Sequence, residues 1–153
     1  MNLSMKKAIL FSLLLLVGFT SCSLEKDKKM QHITYQDYID KIWDFEKHPD
    51  SLVFKGNTAV IIDFYSKNCR PCMALLPVME KMAEEYEGDL TIYKVNVDKE
   101  PALARAFRVK GLPVIYYIPA SGSHIKRQDG LPSEESLRTI IEQELLDKPK
   151  QKE

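Results

Sequence analysis

The sequence predicts an α/β fold in which helices flank a central mixed β-sheet. The segment Ala59–Tyr65 is apolar at almost every position, as expected of a central strand that helices cover on both faces. Leu90–Val97 has the same character, and stretches with helical spacing of apolar residues separate the strands. Val114–Ile118 and the outer strand His124–Gln128 follow one another closely, which predicts an antiparallel hairpin.

The first predicted helix starts at Thr34, because Asp37 stands three residues later and the two can cap each other's backbone amides. Apolar residues continue at three-to-four spacing as far as Phe45, and the helix is expected to stop by Pro49. Leu52–Phe54 favours a short strand ahead of the central one.

Three further helices follow the central strand. The longest is predicted over Arg70–Tyr86, with a bend near Pro77, which lacks an amide hydrogen, and an end at Gly88. Pro101–Phe107 predicts a short helix, and Ser133–Leu146 predicts an amphipathic helix that closes the fold.

The amino terminus has the composition of a secretory signal. Lys6 and Lys7 precede the apolar stretch Ala8–Phe19, which is much shorter than the roughly 20 residues that a membrane-spanning helix needs. The following Phe19-Thr20-Ser21-Cys22 resembles a bacterial lipobox, in which the cysteine is lipidated and becomes the new amino terminus. Phe19 departs from the usual Leu or Val, and an ordinary signal peptide that leaves a free Cys22 is the alternative.

These features divide the chain into four parts. We expect a lipoprotein signal peptide over residues 1–21, a charged tether over 22–32, one folded domain over 33–146 and a polar tail over 147–153. With 22 basic and 22 acidic residues and no long basic run, the chain is not expected to bind nucleic acid. The expected location is outside the cytoplasm, on a bacterial membrane facing the periplasm or the cell surface, and the expected state is a monomer.

The motif Cys69-Arg70-Pro71-Cys72 directly follows the central strand and predicts thiol–disulfide exchange. A purely structural disulfide around so short a loop would stabilise the fold by only about 2 kcal/mol. A zinc site normally needs four ligands, and the chain has only three cysteines and three histidines, with no H-x3-5-H pair. We therefore expect no metal and no cofactor other than the redox-active disulfide itself.

Several short motifs occur in a fixed order along the chain. They are Ile61–Cys72, Pro77, Lys94–Asp98, Gly111-Leu112-Pro113 and Gly130. Together they resemble the thioredoxin family over residues 33–146. The resemblance implies a central sheet flanked by helices, a redox-active disulfide between Cys69 and Cys72, and a cis peptide bond before Pro113.

The two cysteines are expected to have different roles. Cys69 stands at the start of a helix, where free amide groups and the helix dipole favour a thiolate, so it is the expected nucleophile. Cys72 lies one turn inside the helix and is expected to resolve the mixed disulfide. Pro71 suits the first helical turn because it has no amide hydrogen to leave unpaired there.

Two charged residues are candidates for assisting the exchange. Asp63 is an acid in an apolar strand, where desolvation raises its pKa and suits it to pass a proton to or from Cys72. The alternative is a hydrogen-bonded aspartate with a structural role. Lys94 resembles the family lysine that lies near this acid, and an ordinary strand lysine is the alternative.

The resemblance places Leu112 and Pro113 across from the disulfide, where the backbone of Leu112 is free to pair with an extended substrate segment. The rest of the expected contact surface comprises Tyr65, Asn68, Arg70, Pro71, Val114 and Leu131. Tryptophans are common in the family where Tyr65 and Asn68 stand, and glycine is common where Arg70 stands. These departures bear on partner choice and redox potential.

The sequence thus predicts a thiol–disulfide oxidoreductase that acts on exported protein thiols and disulfides together with an unidentified redox partner protein. A dedicated apocytochrome-type thiol reductase is one alternative, although such a protein is expected to carry an insert that the chain lacks between Val97 and Gly111. A non-catalytic peptide-binding or chaperone module is the other alternative.

Overall fold

A five-stranded mixed β-sheet forms the centre of the protein. A computed structural model describes residues 30–48 and 53–147. The sheet order is β1-β3-β2-β4-β5. Both β1 and β2 run parallel to β3, whereas β4 is antiparallel to β2 and β5 is antiparallel to β4. The strands are β1 (Met30–His32), β2 (Ala59–Tyr65), β3 (Leu90–Asn96), β4 (Val114–Ile118) and β5 (Lys126–Asp129).

Helices cover both faces of this sheet, as the apolar strands require. Alternate residues of β2 point to opposite faces, so Ile61 packs with Leu75 and Leu137, whereas Ile62 packs with Tyr38 and Leu103. The helices are α1 (Tyr35–Lys41), α2 (Arg70–Glu85), α3 (Pro101–Ala106) and α4 (Glu134–Ile140), which continues into a π-helical turn (Ile141–Leu145). The predicted α/β class with a central mixed sheet is confirmed.

The first helix begins where it was predicted but ends sooner. Thr34 caps α1, with its hydroxyl accepting from the Asp37 amide and the Asp37 carboxylate accepting from the Thr34 amide. The helix stops at Lys41 because the following residues form a turn, in which the Asp44 carboxylate accepts from a backbone amide. Phe45 leaves the helical path and packs edge-on against other aromatic rings of the core.

Two strand predictions need correction. Met30–His32 was assigned to the tether but pairs with β3 as an edge strand, a position that its mixed polar and apolar residues do not signal. In the predicted strand Leu52–Phe54, Leu52 lies outside the described residues and Phe54 is not in a strand. Phe54 packs instead against Gly122, where a Cβ would come within 2.7 Å of the Phe54 Cβ.

The remaining helix boundaries agree with expectation. The long helix α2 runs without a break through Pro77, and Gly88 follows it at φ +92°, a left-handed conformation that favours glycine. Ser133 caps α4 by accepting a hydrogen bond from the Ser136 amide at 3.1 Å. The Leu112–Pro113 peptide bond is cis, as the family resemblance implied.

Strand polarity gives the domain two distinct ends. Because β4 is antiparallel to β2 and β3 is parallel to it, the loops 66–69, 97–100 and 108–113 all lie at one end of the sheet. We call this the disulfide end. The chain enters β1 at Met30 from the opposite end, which we call the entry end, because β1 runs parallel to β3.

Candidate active site

A disulfide between Cys69 and Cys72 marks the candidate active site. The two sulfur atoms are 2.10 Å apart, and the two Cα atoms are 5.3 Å apart. Cys69 is the N-cap residue of α2, and its sulfur accepts a hydrogen bond from the Cys72 amide at 3.2 Å. Cys69 is partly exposed, whereas Cys72 is only 1% exposed. A substrate sulfur can therefore approach Cys69 but not Cys72.

The start of α2 favours a thiolate on Cys69. Amide groups in the first turn of a helix lack intrahelical partners and carry the positive end of the helix dipole. The first turn of α2 contains no acidic residue that would oppose this field, and Pro71 occupies a position where an amide hydrogen is not needed. The local electrostatics therefore lower the cost of the charged form of the Cys69 sulfur.

A hydrogen-bonded network holds the loop between β2 and α2. The Ser66 hydroxyl donates to the Asp98 carboxylate at 2.6 Å and accepts from the Asn68 amide at 3.3 Å. The Asn96 side-chain oxygen accepts from the Asp98 amide at 3.0 Å, and the Cys69 amide donates to the Ser66 carbonyl at 3.2 Å. This network fixes the position of Cys69. Ser66 is the central member of this network and was not predicted from the sequence, because an isolated serine in a loop carries no recognisable pattern.

Asp63 is a buried acid beneath α2. It is 1% exposed and shares a sheet face with Ile61 and with its register partner Ile115, both of which pack against α2. Burial raises the pKa of Asp63 to about 6, and the positive charge of Lys94 opposes that rise. Its Oδ1 atom has no hydrogen-bond partner among the described residues. This environment suits the predicted proton exchange with Cys72, which also faces the sheet from α2.

Lys94 lies directly across from Asp63 in the register of β2 and β3. It is 5% exposed, and burial lowers its pKa. Its ammonium group stands 4.3 Å from the ring centroid of Tyr65, a cation–π contact. The Tyr65 hydroxyl and the His32 Nδ1 are 3.4 Å apart, and their rings are in tilted contact at 5.8 Å. The strand register places Lys94 beside the acid, and its catalytic role stays a prediction. His32 was not predicted as a neighbour of the site because β1 was assigned to the tether.

The predicted substrate-contact residues divide into exposed and buried groups. Asn68, Arg70 and Pro71 are exposed beside the disulfide, and Leu131 is 51% exposed. Leu112 is partly exposed. These residues lie in the first turn of α2 and in loops at the disulfide end, and they are available to a partner.

The other predicted contact residues are buried. Val114 is 0% exposed because its side chain fills the core between β4 and the α1 side of the sheet, so its side chain cannot contact a partner as predicted. Pro113 is also buried, and its carbonyl accepts from the Gly130 amide at 2.9 Å. Tyr65 is 6% exposed, and its ring contacts the Lys94 ammonium group.

A groove of about 590 Å³ lies between α2 and β1, next to the disulfide. Met73, which follows Cys72, lines one side, and His32 lines the other. Tyr65 and Lys94 also line the groove, so water in it can reach the Lys94 ammonium. The groove therefore brings solvent to Lys94, the register partner of the buried Asp63.

Within residues 30–48 and 53–147, no three His, Cys, Asp or Glu side chains are grouped closely enough to hold a metal ion. In the same ranges, no helix is both long and apolar enough to cross a membrane. Cys22, the predicted signal peptide and the polar tail from residue 148 lie outside the described residues.

Comparison with known proteins identifies relatives across this domain. The thioredoxin family profile matches residues 44–143. A thioredoxin from Borreliella burgdorferi is 37% identical over 109 residues, which are 71% of this chain and 92% of that protein. The chloroplastic thioredoxin-like protein CITRX of Solanum lycopersicum is 35% identical over 111 residues, which are 72% of this chain and 63% of that protein.

A solved structure agrees with these sequence matches. Chloroplastic thioredoxin z, whose crystal structure is described as defining a type-specific target recognition, has a TM-score of 0.60 to this chain at 27% identity. The match covers 74% of this chain and 92% of that one. Fold, disulfide position and sequence all agree: this chain belongs to the thioredoxin family, and it is a protein-disulfide oxidoreductase.

Proposed function

We propose that the protein exchanges thiols and disulfides with exported proteins while a lipid on Cys22 holds it on a bacterial membrane, facing the periplasm or the cell surface. The main support for the exchange reaction is that the two sulfurs differ in exposure. Cys69 is accessible at the start of α2, and Cys72 is enclosed behind it. One sulfur can form a mixed disulfide while the other is kept for its resolution.

The reducing direction begins with the dithiol form. The Cys69 thiolate attacks one sulfur of a substrate disulfide, forming a mixed disulfide and releasing the first substrate thiolate. The Cys72 thiolate then attacks the Cys69 sulfur, which forms the Cys69–Cys72 disulfide and releases the second substrate thiolate. The substrate gains two electrons that the dithiol loses. The oxidising direction is the same sequence reversed, and an unidentified redox partner protein regenerates the starting form.

Asp63 supplies the base for the second step. Cys72 must lose its proton before it can attack, and its buried position disfavours an isolated thiolate. A carboxylate with a pKa near neutrality can accept this proton at physiological pH and return it in the reverse reaction. Lys94 stabilises the charged form of Asp63, and the adjacent groove allows the proton to exchange with water.

The contact surface at the disulfide end suits an extended substrate segment. The backbone of Leu112 can pair with such a segment, and the exposed Asn68 and Arg70 lie beside the reactive sulfur. Backbone pairing gives affinity with little dependence on sequence, which fits an enzyme with several protein substrates. We propose that it works as a monomer and without nucleic acid.

Chain direction supports the proposed anchoring. The chain enters β1 at the entry end, so an anchor at Cys22 would leave the disulfide end directed away from the membrane. Residues 23–29 join Cys22 to Met30 and include five charged residues. Fully extended, a linker of this length reaches roughly 25 Å, enough to keep the domain clear of the lipid headgroups.

An insulin-reduction assay tests the exchange reaction against the alternative of a binding or chaperone module. Catalytic turnover with dithiothreitol that disappears in Cys69→Ser supports the proposal, and binding without turnover would contradict it. The dedicated apocytochrome reductase is less favoured, because only the six-residue helix α3 and its short loops connect β3 with β4.

Cell fractionation tests the anchor. The native protein should partition with membranes, and Cys22→Ala should move the mature protein to the soluble fraction. Mass spectrometry of the native amino terminus provides the second readout. An unmodified Cys22 thiol in the mature protein, or identical fractionation of the variant, would contradict lipid attachment.

A further inference from the structure

The disulfide end carries a concentration of exposed positive charge. Its basic side chains stand on the first residue of α2 and on loops that the sheet topology brings together around the active-site sulfur. None of them forms a salt bridge with a residue in the described ranges 30–48 and 53–147. We call this set the basic rim; it consists of Lys67, Arg70, Lys99, Arg108 and Lys110.

The acidic residues at the same end are engaged in other contacts. Asp98 accepts the hydrogen bond of the Ser66 hydroxyl, and Asp129 forms a bidentate pair with Arg127. Glu100 accepts a hydrogen bond from the Tyr35 amide at 3.0 Å. Glu46 accepts a hydrogen bond from the Tyr35 hydroxyl and adds a fourth carboxylate at this end. These four carboxylates only partly offset the five cations of the rim and Arg127, so the described residues of the disulfide end have a net positive charge.

Within residues 30–48 and 53–147, acidic side chains outnumber basic ones at the opposite end of the domain. The end of α2, the turn after it and the π-helical segment carry seven acidic residues: Glu84, Glu85, Glu87, Asp89, Glu142, Glu144 and Asp147. Arg138 and Lys126 each pair with one of them. The whole chain has no net formal charge, so the positive disulfide end reflects where charges are placed and not an overall excess of basic residues.

From this placement we infer that the basic rim binds acidic segments that flank the reacting cysteines of the partner protein. The inference rests on the exchange reaction proposed above and adds the class of partner. Charges that surround a reactive site raise the rate of encounter with an oppositely charged partner by roughly 10- to 1000-fold at low ionic strength. The partly exposed Leu112 and the exposed Leu131 stand within the rim, an arrangement typical of protein interfaces with an apolar centre.

Nucleic acid fits this surface less well. Surfaces that bind single strands combine basic residues with aromatic side chains on which bases stack. The exposed large apolar side chains of the described residues are Val53, Met73 and Leu131, and none is aromatic. An acidic protein segment is therefore the partner that we assign to the rim.

The test variant is the triple substitution Lys67→Gln, Lys99→Gln and Lys110→Gln. Arg70 is retained because a charge beside Cys69 also affects the sulfur chemistry. Arg108 is retained because its φ of +50° and its carbonyl contact with Arg127 involve it in the loop structure. The matched control removes the same charge from lysines outside the rim: Lys47→Gln, Lys81→Gln and Lys126→Gln.

The substrates are two synthetic peptides with the same internal disulfide, one flanked by glutamates and the other by glutamines. For each protein, the measured quantity is the ratio of kcat/KM for the acidic peptide to kcat/KM for the neutral peptide. We expect the native protein to prefer the acidic peptide about 10-fold at an ionic strength of about 0.01 M, and at most about twofold at about 0.5 M. The rim variant should lose most of the low-salt preference, and the control should keep it.

Equal kcat/KM values for the two peptides with the native protein at low salt would overturn the inference while leaving the exchange reaction intact. The same loss of preference in the control as in the rim variant would also overturn it, because net charge would then account for the effect. Absence of turnover of both peptides would refute the proposed reaction and this inference together. Rim-dependent binding of a fluorescent single-stranded oligonucleotide more tightly than the acidic peptide would contradict the assigned partner class.

Discussion

Replacing Asp63 with Asn should stabilise the folded protein at alkaline pH and slow its chemistry. The ordinary pKa of an aspartate is 3.8, and burial raises that of Asp63 to about 6 in the folded state. This difference corresponds to about 3 kcal/mol of free energy that the folded protein loses when the carboxyl group is ionised. The Asn amide is also buried and polar, so we expect Asp63→Asn to raise the free energy of unfolding by about 1 to 3 kcal/mol at pH 8.

The pH dependence has a defined sign. Below pH 3.8 the Asp63 carboxyl is protonated in both folded and unfolded chains, and its ionisation costs no stability. Between pH 3.8 and about 6 the unfolded chain ionises first, so stability decreases as pH rises. Above about pH 6 the folded protein has lost all of the stability that ionisation of Asp63 removes. The advantage of Asp63→Asn should therefore be large at about pH 8 and nearly absent at about pH 4.

Urea unfolding of the oxidised protein at the two pH values measures this difference. Asp44→Asn is a suitable control, because Asp44 is also buried but forms an ion pair with Lys47 at 3.2 Å. Burial alone would raise the pKa of Asp44, but its hydrogen bonds and charge contacts with Lys47, together with the charge of Lys55, lower it. Asp44→Asn should therefore have a lower free energy of unfolding than the native protein at about pH 8. A stability gain for Asp63→Asn that is equal at both pH values would refute the reasoning.

The kinetic consequence is measured on the same variant. Asn cannot accept a proton, so resolution of the mixed disulfide should slow, most clearly at pH 7 to 8, where Asp63 is ionised. Insulin-reduction rates between about pH 6 and 9 report this change. Rates equal to those of the native protein throughout that range would make Asp63 a structural residue only.

Three further changes test separate parts of the molecule. Cys72→Ser should trap substrates as mixed disulfides on Cys69, detected on non-reducing gels; trapping by Cys69→Ser instead would reverse the assigned roles. Arg70→Gly should lower the reduction potential by about 10 to 40 mV in a glutathione equilibrium, because the guanidinium stabilises the adjacent thiolate; an unchanged or higher potential would contradict that effect. Thr34→Ala should cost about 1 kcal/mol in urea unfolding, because it breaks the capping box with Asp37, whereas a neutral result would show that the cap adds no stability.

The sequence predicted best those features that short-range physics determines. Ala59–Tyr65 could be placed at the centre of the sheet because its apolar residues require cover on both faces, and Thr34 and Ser133 could be placed at helix starts because their hydroxyls cap backbone amides. The Cys69–Cys72 pair was predictable because both members lie within one helical turn.

Features set by contacts distant in sequence were not predictable in the same way. Met30–His32 becomes a strand only because β3 offers it a free edge. Phe45 lies outside α1, and its ring packs in an aromatic cluster that contains Phe107, which comes from a distant part of the sequence. Val114 follows the cis bond closely enough to suggest a contact residue, but strand alternation directs its side chain into the core.

The unpredicted strand β1 also alters how the buried acid should be understood. In the strand register, His32 is opposite Lys94 and Lys94 is opposite Asp63, so the three residues form one row across β1, β3 and β2. The row runs from the edge of the sheet, where His32 is exposed, to the fully buried carboxyl. A chain that began at Ile33 would lack Met30 and His32, which line the groove beside Lys94. The strand that leads from the proposed tether therefore belongs to the chemistry of the site as well as to the sheet.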